Sequence, residues 1–166
     1  QTKQGSGRIA RAAFEFAKNN GKKNVTVVTK ANIVKLTDGN FVKSVREAAK
    51  EYPGITVEER LVDAMAAKMM NPAFNKGLEV FVLPNLYGDI ITDIAAEHQG
   101  GLGSASSSNL GNKYAMFEAI HGTAPDLIAQ GRGEYADPSS LIRAVGMMLG
   151  HIGYPGLKKK LDDAMD

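Results

Sequence analysis

Apolar positions along the chain alternate between a helical and a strand-like period. From Gly7 to Asn20 they fall at Ile9, Ala12, Ala13, Phe14, Phe16 and Ala17, with polar and basic residues between, which is the stripe of an amphipathic helix. Ser6 is expected to cap its start and Gly21 to end it. Val25 to Thr29 is a β-branched run and reads as a buried strand. Thr37-Asp38-Gly39 opens a second helix to about Tyr52, with Phe41, Val42, Val45, Ala48 and Ala49 on its apolar face and Pro53-Gly54 as its stop. Residues 55–62 read as a strand, Ala64 to Met70 as a helix, and Glu79 to Leu83 as a short strand entered through a turn between Pro72 and Gly77. Pro84 ends that strand, and Asn85 is placed to cap a helix running to about His98. Helices and strands that alternate in this way imply an α/β fold whose sheet is at least partly parallel.

Past Glu97 the texture changes. Residues 100–109 are almost all small or polar, with glycine at 100, 101 and 103 and serine at 104 and 106–108, and read as a loop. The boundary between two lobes is expected near residue 99, giving a first α/β lobe over 1–99 and a second over 100–166. In the second, Tyr114 to Ile120 reads as a strand, followed by a His121-Gly122-Thr123-Ala124-Pro125 loop and a second polar loop from Gln130 to Asp137. Pro138, after Asp137 as cap, starts a helix to about Ile152. Tyr154-Pro155-Gly156 breaks it, and a last helix runs from Leu157.

Composition narrows the class without naming it. Of 166 residues, 43% are hydrophobic and 23% charged, as in ordinary globular chains. Twenty basic against 18 acidic residues leave a net charge of +2, with no basic block and no basic–aromatic interleaving, so neither nucleic acid nor a membrane is an expected partner. No apolar run approaches the roughly 18 residues of a membrane span. Cysteine is absent, which removes disulfides and thiolate chemistry and is in keeping with a reducing compartment.

The candidate chemistry lies where strands give way to helices, the edge at which α/β sheets bind ligands. Lys30 follows the first strand, Asp63 the second, and Asp89 with Asp93 the third. Singly, a lysine after a strand is a surface charge and an aspartate before a helix is a cap. Together they are one ammonium and three carboxylates at one sheet edge, able to hold a divalent cation and move a proton. Asp89 and Asp93 are four apart, on one helical face, where two like charges cost about 0.2–0.5 kcal/mol unless a cation offsets them. His121 and Asp126, in a loop system that closes at Asp137, form a second group. A carboxylate there could accept the hydroxyls of an adenosine ribose and repel a 2′-phosphate, which is the logic of NAD over NADP. No G-x-G-x-x-G is present; Gly5-Ser6-Gly7 lacks a preceding strand and the third glycine.

Four motifs in order resemble the metal-dependent β-decarboxylating dehydrogenases, the isocitrate/isopropylmalate dehydrogenase family. They are Lys30-Ala31-Asn32-Ile33-Val34-Lys35-Leu36-Thr37-Asp38-Gly39, then Asn85-Leu86-Tyr87-Gly88-Asp89-Ile90-Ile91-Thr92-Asp93, then Gly100-Gly101-Leu102-Gly103, then His121-Gly122-Thr123-Ala124-Pro125-Asp126. Within the family, Asn-Leu-Tyr-Gly-Asp and the double glycine are more similar to the isocitrate enzymes. The resemblance implies that family's fold and the metal-dependent oxidation and decarboxylation of isocitrate to 2-oxoglutarate with NAD+. The sibling substrates are isopropylmalate, homoisocitrate and tartrate, and a non-catalytic regulatory subunit is the alternative of another class.

The same resemblance implies roles for residues. Lys30 and Asp63 would serve the active site of a neighbouring subunit of a homodimer or higher oligomer. Asp63, Asp89 and Asp93 would surround Mg²⁺ or Mn²⁺. Asn32 would approach the nicotinamide, and Glu118 with His121, Gly122, Thr123, Ala124, Pro125 and Asp126 would hold NAD, Asp126 at the ribose. Asp137 stands where the family has an adenine-reading asparagine. The family's substrate-binding arginine cluster and a catalytic tyrosine are not in this sequence, so the 166 residues alone are expected to be an inactive piece of a longer enzyme that self-associates or leaves its second lobe after Gly100 loosely ordered. Its place would be the cytoplasm, or the mitochondrial matrix in a eukaryote.

Overall fold

The computed structural model describes residues 1–166, which divide into two compact units, Gln1–Ala95 and Ala96–Asp166. The first unit is built on a three-stranded parallel sheet ordered β2–β1–β3, from β1 (Asn24–Thr29), β2 (Thr56–Leu61) and β3 (Val80–Val82). β1 is central, and its residues from Val25 to Thr29 are all buried, as a strand covered on both faces must be. Alternation along it serves two cores. Val25 and Val27 face α1 (Lys3–Asn19) and α2 (Thr37–Ala49), packing with Phe14, Ala17, Phe41 and Val45. Val28 faces the other way, into a cluster with Met65 and Met69 of and beside α3 (Val62–Lys68) and Ile91 of α5 (Asn85–Gln99). A single helical turn, α4 (Pro72–Asn75), lies where a plain turn is expected, its first N–H groups met by the Asn71 side chain, which accepts from the Ala73 amide.

The first helix starts four residues before its expected place. Thr2 rather than Ser6 is the cap, its Oγ1 accepting from the Gly5 amide at 3.1 Å, and Ser6 is buried inside the helix. Gly5 and Gly7 are poor helix formers, but packing of the helix face outweighs local propensity. Glu79, just before β3, reaches the start of β1 and accepts from the amides of Lys23 (2.6 Å) and Asn24 (2.9 Å). These bonds, led by Lys23, hold its carboxyl below the usual range and pin β3 against β1. The edge strand β2 carries charge, as exposed edges do; Glu58 pairs with Arg60, and Glu59 with Arg46 of α2.

The second unit corrects one expectation. Residues 100–109 are not all loop: after one 3-10 turn (Leu102–Ser104), Ser106–Leu110 form β4, antiparallel to β5 (Ala115–Ala119) with Ser108 opposite Phe117. Serine has little strand preference of its own; pairing with β5 and packing on α7 (Ser139–His151) decide. A short α6 (Pro125–Ala129) follows β5, and α8 (Pro155–Met165) packs on α7. That contact is close: a Cβ at Gly146 would lie 3.3 Å from the Asp162 carboxylate. No helix is long and apolar enough to cross a membrane.

Candidate active site

Lys30 is the first residue past β1, and Leu61, the last of β2, sits opposite Thr29 in the parallel register. Asp63 lies two residues further, in the first turn of α3. Parallel pairing therefore brings both to one sheet edge, where Lys30 Nζ meets Asp63 Oδ2 at 2.7 Å. The lysine side chain is 26% exposed and the aspartate 63%. The hydrogen bond from Lys30 holds the Asp63 carboxyl below the usual aspartate range, with the amides at the start of α3 adding to it. β3 ends at the same edge, since Val82 is paired with Val27, and α5 starts three residues later at Asn85. Asn85 is the first helical residue rather than the cap. Asp89 and Asp93 project exposed from this helix, while Ile91 between them is buried in the core.

No three carboxylate or imidazole side chains of the chain converge closely enough to hold a metal ion. Asp89 and Asp93 are hard oxygen donors on one exposed face, the chemistry Mg²⁺ and Mn²⁺ require. Asp63 is engaged by Lys30 instead. The residues present thus suit a divalent ion as part of a donor set, not as a whole one.

Asn32 is exposed in the tight turn that follows β1, where the Ile33 and Val34 amides both donate to the Lys30 carbonyl. The turn is held by Asp38, which the sequence marked as part of a helix start and of the Lys30 to Gly39 motif but not as a site residue. Its carboxylate is 2% exposed and Oδ2 accepts from the Lys30 amide at 2.8 Å. Burial first, and then the Asp38 carboxylate, push the phenol of Tyr87 on α5 up. Nothing in the residue pattern separates Asp38 from an ordinary acidic residue in a first helical turn, so its burial was not legible there.

In the second unit, the segment from His121 to Asp126 is exposed throughout. His121 Nδ1 lies 2.8 Å from the Gly122 carbonyl. Ala124 takes a left-handed conformation (φ 45°), unusual for a residue with a Cβ, and hands the chain to Pro125 at the start of α6. Glu118 accepts from Asn109 of β4 at 2.7 Å. Asp137 does its capping one residue early: Oδ1 accepts from the Ser139 amide at 2.9 Å, and Pro138 intervenes before the helix. Its carboxyl is held low by the Ser139 hydroxyl first and that amide second, with His121 adding a smaller pull. Gly103 is glycine because Asp137 is there; a Cβ would lie 3.2 Å from its Oδ2. Ser140, fully buried, donates from Oγ to the Ala105 carbonyl and accepts from the Ile120 amide, so one hydroxyl ties the start of β4 and the end of β5 to α7.

A parallel sheet edge carrying a lysine–aspartate pair and a two-aspartate helix, with a separate His-Gly-Thr-Ala-Pro loop, is the pattern of one dehydrogenase family. The chain belongs to the isocitrate/isopropylmalate dehydrogenase family, whose profile matches residues 1–166. It is 40% identical over 164 residues to a mitochondrial NAD isocitrate dehydrogenase subunit 2 of Schizosaccharomyces pombe, covering 99% of this chain and 42% of that one. It is 45% identical over 160 residues to an NADP isocitrate dehydrogenase of Rickettsia prowazekii, covering 96% of this chain and 32% of that one. It is 42% identical over 165 residues to a 3-isopropylmalate dehydrogenase of Archaeoglobus fulgidus, covering 99% and 49%. The crystal structure of isocitrate dehydrogenase from Methylococcus capsulatus superposes with a TM-score of 0.91 at 44% identity, covering 98% of this chain and 47% of that one. The chain therefore spans less than half the length of these relatives.

Proposed function

We propose that the protein of which these residues form part oxidises and decarboxylates isocitrate to 2-oxoglutarate with NAD+ and Mg²⁺ or Mn²⁺, using sites shared between two subunits. The observation that carries this is the Lys30–Asp63 pair, 2.7 Å apart at the sheet edge where α5 also begins. Paired in this way, the two are turned to each other and Asp63 does not complete a metal site with Asp89 and Asp93 of its own chain. In a homodimer each chain would lend its Lys30–Asp63 pair to the partner's site and keep Asp89 and Asp93 for its own.

When bound, the divalent ion would polarise the oxygens of the substrate, and NAD+ would accept the hydride. Lys30 Nζ would move the proton at the substrate hydroxyl, and Asp63, accepting its hydrogen bond, would keep Nζ aimed there. The substrate's β-carboxylate would leave as CO₂, its bonding pair remaining on the substrate as an enolate that would take up one proton from solvent to give 2-oxoglutarate. Asp126, exposed at the start of α6, favours NAD+, because a carboxylate accepts ribose hydroxyls and repels a 2′-phosphate. Asn32 would flank the nicotinamide end and Glu118 with residues 121–126 the remainder, with Asp137 fixing the loop beside them. Residues 1–99 would form the catalytic lobe and 100–166 the part of the NAD-binding lobe present here. The place of action would be the cytoplasm, or the mitochondrial matrix in a eukaryote.

The test is a matrix of initial rates in the intact protein: isocitrate against 3-isopropylmalate, NAD+ against NADP+, Mn²⁺ against EDTA, read as reduced nicotinamide. Isocitrate with NAD+ should give the highest kcat/KM, with no turnover in EDTA. A higher kcat/KM on isopropylmalate overturns the substrate, and a higher one with NADP+ overturns the cofactor.

A further inference from the structure

The most deeply buried carboxylate of the first unit has no part in the chemistry above. Asp38 is 2% exposed, in the second position of α2. A carboxylate is taken out of water at high cost unless hydrogen-bonded. Asp38 meets that need through the turn that follows β1. Oδ2 accepts from the backbone amide of Lys30, the first residue past β1, at 2.8 Å. Lys30 in turn holds Asp63 of α3 through its side chain. Thus α3, the end of β1 and α2 are joined in one polar chain, Asp63–Lys30–Asp38.

We propose that Asp38 is a positioning residue: by accepting from the Lys30 amide it fixes the backbone that carries the catalytic lysine against the start of α2. The inference rests on the catalytic reading of Lys30 given above. The lysine amide lies past the end of β1, and Asp38 supplies the acceptor that the sheet does not. Without it the Lys30 amide loses its only acceptor, and Nζ, at the end of four methylenes, amplifies any backbone shift. Geometry of this kind matters because a misplacement of about 1 Å at a reacting group can cost on the order of 100-fold in rate. The Lys30 amide needs one acceptor oxygen here and not a net charge, so asparagine should replace most of the hold, whereas alanine should not.

The test uses the intact protein with Asp38→Ala, Asp38→Asn and Asp38→Leu. Hydrogen–deuterium exchange resolved at the Lys30 amide reads the clamp, and steady-state kinetics read its consequence. Asp38→Ala should quicken exchange at Lys30 about tenfold or more, with the amides of Val27 and Val28 unchanged, because a hydrogen bond to a charged acceptor is lost. It should lower kcat by about 10–100-fold while KM for isocitrate stays within about threefold. Asp38→Asn should recover most of both effects.

Unchanged exchange at Lys30, or an Asp38→Asn as impaired as Asp38→Ala, would each overturn the proposal. Should Asp38→Ala not fold, Asp38→Leu, which fills the buried space without an acceptor, decides: exchange at Lys30 must quicken by about tenfold or more, and unchanged exchange overturns the clamp. If the intact protein does not turn over isocitrate, the functional reading fails, while exchange at Lys30 still reports on Asp38.

Discussion

On α5, Asp89 and Ile91 stand two residues apart and face opposite ways, so one helix separates what stabilises the fold from what the proposed function gives to a metal ion. Ile91 is 1% exposed among Val28, Met65 and Met69. Ile91→Ala removes three carbons, worth about 2.5 kcal/mol in transfer free energy at about 0.8 kcal/mol per buried CH₂. The space left between α3, β1 and α5 adds to this, for an expected loss of about 3–4 kcal/mol. Asp89 is exposed, and no acidic residue lies in the first turn of α5, so the helix dipole gives it little. Asp89→Asn relieves the repulsion from Asp93 and should leave stability unchanged or raise it by about 0.2–0.5 kcal/mol. The assay is urea unfolding of the intact protein by circular dichroism, in EDTA and in Mn²⁺. With Mn²⁺ at about 100 times its Kd the parent should gain about 2.7 kcal/mol, and Asp89→Asn should gain almost nothing. A loss above about 1 kcal/mol for Asp89→Asn in EDTA, or its retaining the full Mn²⁺ gain, would refute the assignment of this face to a cation.

Three further outcomes are expected. Lys30→Met should lower kcat by about 10²–10⁴-fold, the range of a lost acid–base group, with the melting temperature little moved; a variant retaining more than about a tenth of the parent kcat would remove Lys30 from the proton path. Asp126→Lys should raise the NADP+ to NAD+ ratio of kcat/KM by about tenfold or more, and an unchanged ratio would take Asp126 away from the ribose. Tyr52 donates to Glu15 at 2.6 Å, and that bond, with burial second, pushes its phenol up to about 12. An unfolded tyrosine ionises near pH 10, so the stabilisation is present below about pH 10 and is lost as pH rises toward about 12. Thermal melts across that window should show a steeper fall for the parent than for Tyr52→Phe; parallel curves would contradict the bond.

The alternation of helical and strand periods determined that the first unit is α/β with a parallel sheet, because those periods record which side chains must leave water. Val25, Val27, Phe14, Phe41 and Val45 are in the core for that reason. The motifs around Lys30, Asp89 and His121 were equally plain as strings and carried the family with them. Tertiary structure decided the rest. Serines 106–108 form a strand only because β5 and α7 are there to pair and pack with them. Thr2 rather than Ser6 caps α1 because packing extends the helix past its local propensity. That Lys30 meets Asp63 depends on the register of β1 against β2, a contact 33 residues apart in sequence. Asp38 and Ser140 are polar residues whose burial no period announces; each is held by partners from elements that only folding brings together. A local pattern records the preference for water of each side chain, whereas a buried hydrogen bond is a property of two places in space.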